Sequence, residues 1–116
     1  MNITRQPAWL HLQQHYEAEQ ALTLRERFAL DPDRFAHMHE RLHGMLFDYS
    51  KNRVSETTLD LLGRLADTAD VRGWADKMRR GDKINSSEGR AVLHTALRLP
   101  ENAAPVYVDG TNVVPL

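Results

Sequence analysis

The segment at residues 84–98, INSSEGRAVLHTALR, combines residue types that can bind a phosphate group. Basic residues recur in it at every fourth position and would share one face of a helix: Arg90, His94 and Arg98. A helix start can also hold an anion through its free N–H groups. Asn85 and Glu88, however, have the spacing of a helix cap, and the Glu88 carboxylate would repel an anion. The pattern therefore favours a capped helix over a sugar-phosphate grip.

Two pairs of histidines have the i, i+4 spacing that places both imidazoles on one helix face and can bind zinc: His11 with His15, and His39 with His43. Glu19 continues the first pair at the same interval and offers a third ligand. Neither pair lies in an H-E-x-x-H frame, and catalytic zinc needs three converging ligands with supporting hydrogen bonds. We therefore interpret both pairs as exposed, polar helix faces and assign no metal ligand.

A polar run at residues 48–52, DYSKN, follows a short apolar segment, a position where functional sites are common. Ser50 and Lys51 are adjacent and would point to opposite sides of an extended chain, which excludes them as a nucleophile and its base. We expect Asp48 to hydrogen-bond into the following segment and Asn52 to form an Asx-type turn. The sequence contains no nucleotide-binding glycine loop and no recognisable Ser-His-Asp set, so no catalytic or cofactor-binding residue is assigned.

Composition narrows the class of protein. The chain has 116 residues, a formal net charge of −1 and no cysteine. This suits one domain, gives no electrostatic basis for nucleic-acid binding, and excludes disulfides and thiol chemistry. No apolar run has the length of a signal peptide or a bilayer span, so we expect a cytoplasmic protein without a membrane partner. Leu, Ile, Val and Phe make up about 23% of the residues, which predicts a thin core.

The elements that would position these residues are mostly helices. The predicted helices begin, in chain order, at Pro7, Thr23, Asp31, Ser55, Val71 and Asn85. The third should carry Phe35, Met38 and Leu42 on one face and end at Gly44. Apolar stripes on the first and fifth helices contain Trp9 and Trp74, which we expect in the core.

Two segments of the sequence have the character of strands. The contiguous apolar run near residues 45–50, MLFDYS, predicts a buried strand. Near residues 106–114, two valine-rich stretches flank Asp109-Gly110, a strong signal for a hairpin turn. The fold class expected from the whole pattern is α+β, mainly α-helical with a few short strands.

Three segments resemble the amino-terminal portion of glucose-6-phosphate isomerases, also called phosphoglucose isomerases: MLFDYSKNRVSETTLDLLGRLA, MRRGDKINSSEGRAVLHTALR and VYVDGTNV. The earlier stretch LTLRERFALDPDRFAHMHERL is similar to the same region, so the likeness covers nearly the whole chain. Members of this family are several times longer. The resemblance therefore implies that residues 1–116 are the N-terminal segment of a larger α/β enzyme of the sugar-isomerase type, whose catalytic subdomains this sequence lacks.

The resemblance also implies a reaction, the interconversion of glucose 6-phosphate and fructose 6-phosphate in glycolysis and gluconeogenesis. In the family a glutamate moves a proton through an enediol, a histidine assists ring opening, an arginine steadies the charge, and a Ser/Thr-rich loop holds the phosphate. No cofactor takes part, and the site forms at a homodimer interface. None of these signature motifs can be placed here, so no catalytic residue is carried over. Arg90 and His94 match the family's R-A-V-L-H segment and receive no role.

The implied partners are the remainder of the isomerase chain and a second subunit, with sugar phosphate as substrate of the full enzyme only. We expect the isolated chain to be inactive, and residues 84–98 to be a capped helix that docks through Gly89 and Arg90 against other parts of the enzyme. The alternative is a stand-alone, non-catalytic helical interaction module derived from the isomerase N-terminus.

Overall fold

Short helices and two hairpins make up the chain, as a computed structural model describes it over residues 2–114. The helices are α1 (Pro7–Glu19), α2 (Leu24–Leu30), α3 (Arg34–His37), α4 (Glu56–Thr68) and α5 (Val71–Arg80), with single 3-10 turns at Ile3–Arg5 and Ala96–Arg98. The strands are β1 (His39–Leu42), β2 (Met45–Asp48), β3 (Tyr107–Val108) and β4 (Thr111–Asn112). The mainly helical class with a few short strands is confirmed. The chain divides into two compact units between Leu65 and Ala66.

Four helices occur where the sequence predicts them, and their ends carry the expected caps. Pro7 occupies the first turn of α1. Before α2, the Thr23 hydroxyl accepts from the Glu26 N–H at 3.3 Å, while the Glu26 carboxylate accepts from the Thr23 N–H at 2.8 Å. Ser55 caps α4 through its hydroxyl, and Gly81, with φ +82°, ends α5. Local capping chemistry thus fixes these boundaries.

The third predicted helix is wrong beyond its first turn. Because His43 and Gly44 both adopt positive φ, +49° and +79°, the chain reverses there, and Gly44 lies in a hairpin turn instead of a helix cap. β1 pairs antiparallel with β2, with Leu42 opposite Met45. The apolar residues before this turn have helical spacing, yet the segment forms a strand. Its backbone N–H and C=O groups form hydrogen bonds with β2 instead of within a helix.

The strand predicted near residues 45–50 is present as β2, but its predicted burial is wrong. All four of its residues are exposed, and Met45 and Phe47 are 67% and 66% exposed. Within residues 2–114, β2 pairs with β1 and with no other strand, in a two-stranded sheet. The contiguous apolar run correctly predicted a strand, but it did not predict whether other residues of the chain cover that strand.

The helix predicted over residues 84–98 is also wrong. The cap itself forms, since the Asn85 side-chain oxygen accepts from the Glu88 N–H at 3.3 Å. Gly89 then adopts φ +64°, and Arg90 pairs with Asn85 in an isolated antiparallel bridge. A Cβ placed at Gly89 would meet no atom within 4 Å, so no segment within residues 2–114 packs closely on it, and its docking against other parts of the enzyme stays a prediction. The left-handed glycine turns the chain back before a helix can propagate.

The second hairpin is confirmed, with shorter strands than the sequence suggested. β3 and β4 are joined by Asp109 and Gly110, at φ +50° and +80°. The hairpin packs against the end of α5, where a Cβ placed on Gly81 would lie 3.0–3.1 Å from Val108, Tyr107 and Val106 atoms. Glycine suits this position because a Cβ would crowd the hairpin and would have to adopt a left-handed backbone conformation.

The predicted thin core is confirmed for the described residues. The buried apolar residues are Met38, Ala96, Val113 and Val114. The expectation that both tryptophans lie in the core is wrong, because Trp9 is 36% exposed and Trp74 is 48% exposed. Among residues 2–114, none of the helices combines the length and apolar character needed to span a membrane.

Candidate functional site

The first unit contains an open groove of about 530 Å³ lined mainly by side chains of α1 and α4. Its apolar wall consists of Trp9, Leu12, Tyr16 and Leu62. Its polar wall includes His15, Glu19, Arg27, Arg53 and Thr58. The half-exposed Trp9 therefore lines a concave surface. The polar wall contains the groove residues that could act as catalytic groups or ligands.

Hydrogen bonds connect the polar side chains of this groove. His15 Nε2 lies 2.7 Å from Thr58 Oγ1, and Arg27 donates to Glu19 Oε2 at 2.8 Å. Ser55 Oγ donates to Glu19 Oε1 at 3.2 Å. Burial raises the pKa of Glu19, but the hydrogen bond from Arg27, the nearby charges of His15 and Arg27, and the hydrogen bond from Ser55 together lower it below its ordinary value. Glu19 is therefore an ionised partner for a buried arginine.

The same geometry excludes a catalytic triad. In a triad the hydroxyl and the carboxylate contact opposite ring nitrogens of the histidine. Here the Glu19 carboxylate lies 3.7 Å from His15 Nε2, the same nitrogen that contacts Thr58. Thr58 Oγ1 also accepts from the Ser55 N–H at 2.9 Å, so both hydroxyls are engaged in capping α4. The network positions helices and does not activate a nucleophile.

The histidine pairs do not build a metal site. His15 and Glu19 are brought together, whereas His11 is exposed on α1 outside this network. His39 lies in β1 with Nδ1 2.7 Å from the Phe35 carbonyl, and His43 lies in the hairpin turn, so the second pair is not on a helix face as predicted. Within residues 2–114, no three His, Cys, Asp or Glu side chains converge as metal ligands.

Arg34, at the base of the first hairpin, was not identified from the sequence. Its side chain is only 3% exposed. Nε donates to the Ser50 carbonyl at 2.6 Å, and Nη2 donates to the Asn52 and Val54 carbonyls at 2.8 and 2.5 Å. One guanidinium therefore holds the loop that leads from β2 to α4. No sequence pattern announces this role, because the acceptors are backbone carbonyls that any residue carries.

Asp48 performs the predicted structural role. Oδ1 accepts from the Ser50 N–H at 2.9 Å, and Oδ2 accepts from Lys51 Nζ at 3.0 Å. Hydrogen bonds from the Ser50 side chain and backbone, with Lys51, lower the pKa of Asp48 from 3.8 to about 2. Ser50 is 1% exposed and so cannot reach a substrate. The polar run is a tight turn and not a reactive site.

The basic stripe predicted over residues 84–98 is not formed. Arg90 lies in the bridge with Asn85, while Arg98 donates to the His94 carbonyl at 2.6 Å beside the 3-10 turn. All three basic residues are exposed, and no helix aligns them. The segment does not present the shared face that a phosphate grip would need.

The chain is similar in sequence to proteins of one known family. The phosphoglucose isomerase family model matches residues 48–116, more than half of the chain. The chain is 60% identical to a Neisseria meningitidis protein named glucose-6-phosphate isomerase 2 over 108 residues, which make up 93% of this chain and 20% of that protein. It is 51% identical to the glucose-6-phosphate isomerase of Deinococcus radiodurans over 113 residues, 97% of this chain and 21% of that protein. The chain thus spans about one fifth of the length of these curated relatives.

Proposed function

Because the chain belongs to the phosphoglucose isomerase family, we propose that it is the amino-terminal portion of a glucose-6-phosphate isomerase. The observation that supports this most strongly is the 60% identity over 93% of the chain to an isomerase of which it covers 20%. The whole enzyme interconverts glucose 6-phosphate and fructose 6-phosphate in cytoplasmic glycolysis and gluconeogenesis. It does so by proton transfer through an enediol, without a cofactor, and as a homodimer.

In this proposal residues 2–114 act as scaffold. A general base works best when its pKa lies near the operating pH. Glu19 and Asp48 each accept hydrogen bonds and lie close to a positive charge. Both have a lowered pKa, and that of Asp48 is about 2. Each is already bound by a cation, Arg27 or Lys51. This is consistent with a proton-transfer base and a phosphate grip supplied by the rest of the enzyme, and we expect the isolated chain to be inactive.

A chimera tests this proposal. The region of the Neisseria meningitidis isomerase that matches this chain is replaced by this chain, and the rest of that enzyme is kept. We expect the chimera to interconvert the two sugar phosphates at a rate comparable to the parent enzyme. The same enzyme with the matched region deleted, and the isolated chain, serve as controls and are expected to show only background turnover.

Two outcomes would contradict the proposal. One is a chimera that folds and assembles like the parent enzyme yet has no isomerase activity. The other is turnover by the isolated chain above background. The first result would favour the alternative, a stand-alone helical interaction module.

A further inference from the structure

We propose that one face of the first hairpin, β1–β2, is the surface on which the remainder of the isomerase polypeptide packs. This inference rests on the proposed function. The surface consists of Leu42, Met45 and Phe47 and is named here the hairpin face. Its occupant is an apolar layer formed by the part of the enzyme beyond the fifth of its length that this chain represents.

The strand register creates this face. In an antiparallel pair, residues directly opposite each other project to the same side of the sheet, and the side alternates along each strand. Leu42 lies opposite Met45, and Phe47 lies opposite Glu40, so these four side chains share one side. The opposite side carries mostly polar residues: His39, Arg41, Leu46 and Asp48. A two-stranded sheet with one apolar and one polar side normally packs its apolar side on other protein.

Exposure shows that residues 2–114 do not supply that cover. Leu42, Met45 and Phe47 are 62%, 67% and 66% exposed. Large apolar side chains grouped on one surface mark an interaction site more strongly than scattered ones do. A two-stranded hairpin is also marginal in water unless a further strand or a helix packs against it. The hairpin face therefore needs an apolar partner.

The base of the hairpin is anchored to neighbouring residues, which favours one orientation of the hairpin face. The Tyr49 N–H donates to the Met38 carbonyl at 3.0 Å and extends the β1–β2 pairing beyond the strands. Met38 is 2% exposed, and Arg34 binds the carbonyls of the loop that follows. A hairpin that is anchored at its base loses less conformational entropy when a partner covers its apolar side than an unanchored hairpin would.

The occupant follows from length and charge. Relatives such as the Neisseria meningitidis isomerase contain about five times the length of this chain, and this chain matches 20% of it. The outer edge of β1 carries Glu40 and Arg41, and these charges oppose the addition of another strand there. On the side of the sheet that carries the hairpin face, Glu40 is the one charged strand residue, and it lies beside Phe47. The matching surface is therefore apolar, with a basic or hydrogen-bond-donating group opposite Glu40.

Methionine oxidation tests the docking of the hairpin face without any substitution, because one exposed methionine lies in the hairpin and one buried methionine lies just before it. Met45 is 67% exposed and Met38 is 2% exposed. Dilute hydrogen peroxide converts accessible methionine to its sulfoxide, which peptide mass spectrometry locates. In the isolated chain we expect Met45 to oxidise faster than Met38 by about tenfold or more. In the chimera described above, the Met45 rate should fall to near that of Met38.

A matched pair of variants provides the second measurement. Phe47→Ser should lower the thermal unfolding midpoint of the isolated chain only slightly, since it removes an exposed ring contact with Tyr49, and should lower the midpoint of the chimera more. The control is Arg41→Ser, which changes an exposed residue on the opposite, polar side of the same hairpin. This control should have the same small effect in both proteins.

The inference is overturned if Met45 oxidises equally fast in the chimera and in the isolated chain. It is also overturned if the isolated chain sediments as a dimer in which Met45 is already protected, because a second copy would then be the occupant. Isomerase activity reports separately on the proposed function. A folded but inactive chimera with a protected Met45 supports docking and removes the isomerase proposal, whereas an active chimera with an exposed Met45 does the reverse.

Discussion

Two hairpins in this chain share one turn geometry and differ in how they are anchored. The central residues of the first turn have φ of +49° and +79°, and those of the second have +50° and +80°. This is the left-handed pair that a two-residue hairpin requires. The strand that follows the first turn is wholly exposed, whereas the second hairpin leads into the buried Val113 and Val114. A turn therefore determines the register of a hairpin and leaves its burial to the flanking residues.

The two anchors differ in the kind of contact that is buried. The first hairpin is held at its base by a buried arginine that donates to three carbonyls. The second packs the Val106 and Val108 side chains against the backbone of Gly81, and an exposed ion pair joins Lys83 to Asp109 in its turn at 2.8 Å. A polar anchor can fix a hairpin without covering it, while an apolar anchor covers it as it fixes it. The predictions below test this contrast, beginning with the largest expected effect.

Replacing Arg34 with Met should break the first anchor. The methionine fills similar space but leaves the Ser50, Asn52 and Val54 carbonyls without their charged donor. Hydrogen bonds to charged groups contribute about 1.5–3 kcal/mol each, so the free energy of unfolding should fall by about 3 kcal/mol or more. Urea unfolding measures this. Arg25→Met, at an exposed position of α2, is the control and should change stability by less than about 0.5 kcal/mol. Equal midpoints for both variants would refute the polar anchor.

Replacing Gly81 with Ala should weaken the second anchor. The new Cβ would lie 3.0–3.1 Å from the hairpin and would also occupy a left-handed conformation, and together these should cost about 2 kcal/mol. Gly89→Ala is the matched variant, because Gly89 has φ +64° with open space around it and should cost only about 1 kcal/mol. If the two variants were equally destabilised, close packing of the hairpin on Gly81 would not be the cause.

These anchors also show how far the sequence predicted the fold. The capping box at Thr23 and the Asp109-Gly110 turn were predicted because each signal acts within four residues. Asn85 and Glu88 carry an equally good cap and form its contacts, yet no helix follows, because Gly89 turns the chain back. The first hairpin was missed because His43-Gly44 is a weak turn signal and the preceding apolar residues repeat at helical spacing. Local signals specify ends better than they specify what lies between them.

The candidate site was less accessible to sequence reasoning than the fold. The structural role of Asp48 could be predicted because its partners, Ser50 and Lys51, are two and three residues away. The ion pair of Arg27 with Glu19 spans eight residues and depends on how α1 and α2 pack. Arg34 reaches carbonyls up to twenty residues along the chain. Contacts of this kind depend on tertiary packing, and no pattern of residue types encodes them.

Titration of Asp48 should reveal a smaller contribution at the base of the first hairpin. Its pKa in the folded chain is about 2, below its ordinary value of 3.8. The ionised carboxylate therefore stabilises the fold above about pH 4, and this contribution is lost as the pH falls toward 2. The stability difference between the parent chain and Asp48→Asn should be largest above about pH 4, and the part that comes from the ionised carboxylate should disappear below about pH 2. Carboxyl-carbon NMR would contradict this if Asp48 titrated near 3.8.

The smallest effect is expected at the turn, where the two hairpins are most alike. His43→Asn places a residue that tolerates positive φ at a position now held by histidine, and should stabilise the chain by about 0.5 kcal/mol. Asp109→Asn makes the matching change in the second turn, where aspartate already suits that conformation and pairs with Lys83, so we expect no gain in stability there. Thermal unfolding compares the two. A stability gain from His43→Asn as large as the loss from Arg34→Met would contradict this prediction. The turn, and not Arg34, would then be the main determinant of the stability of the first hairpin.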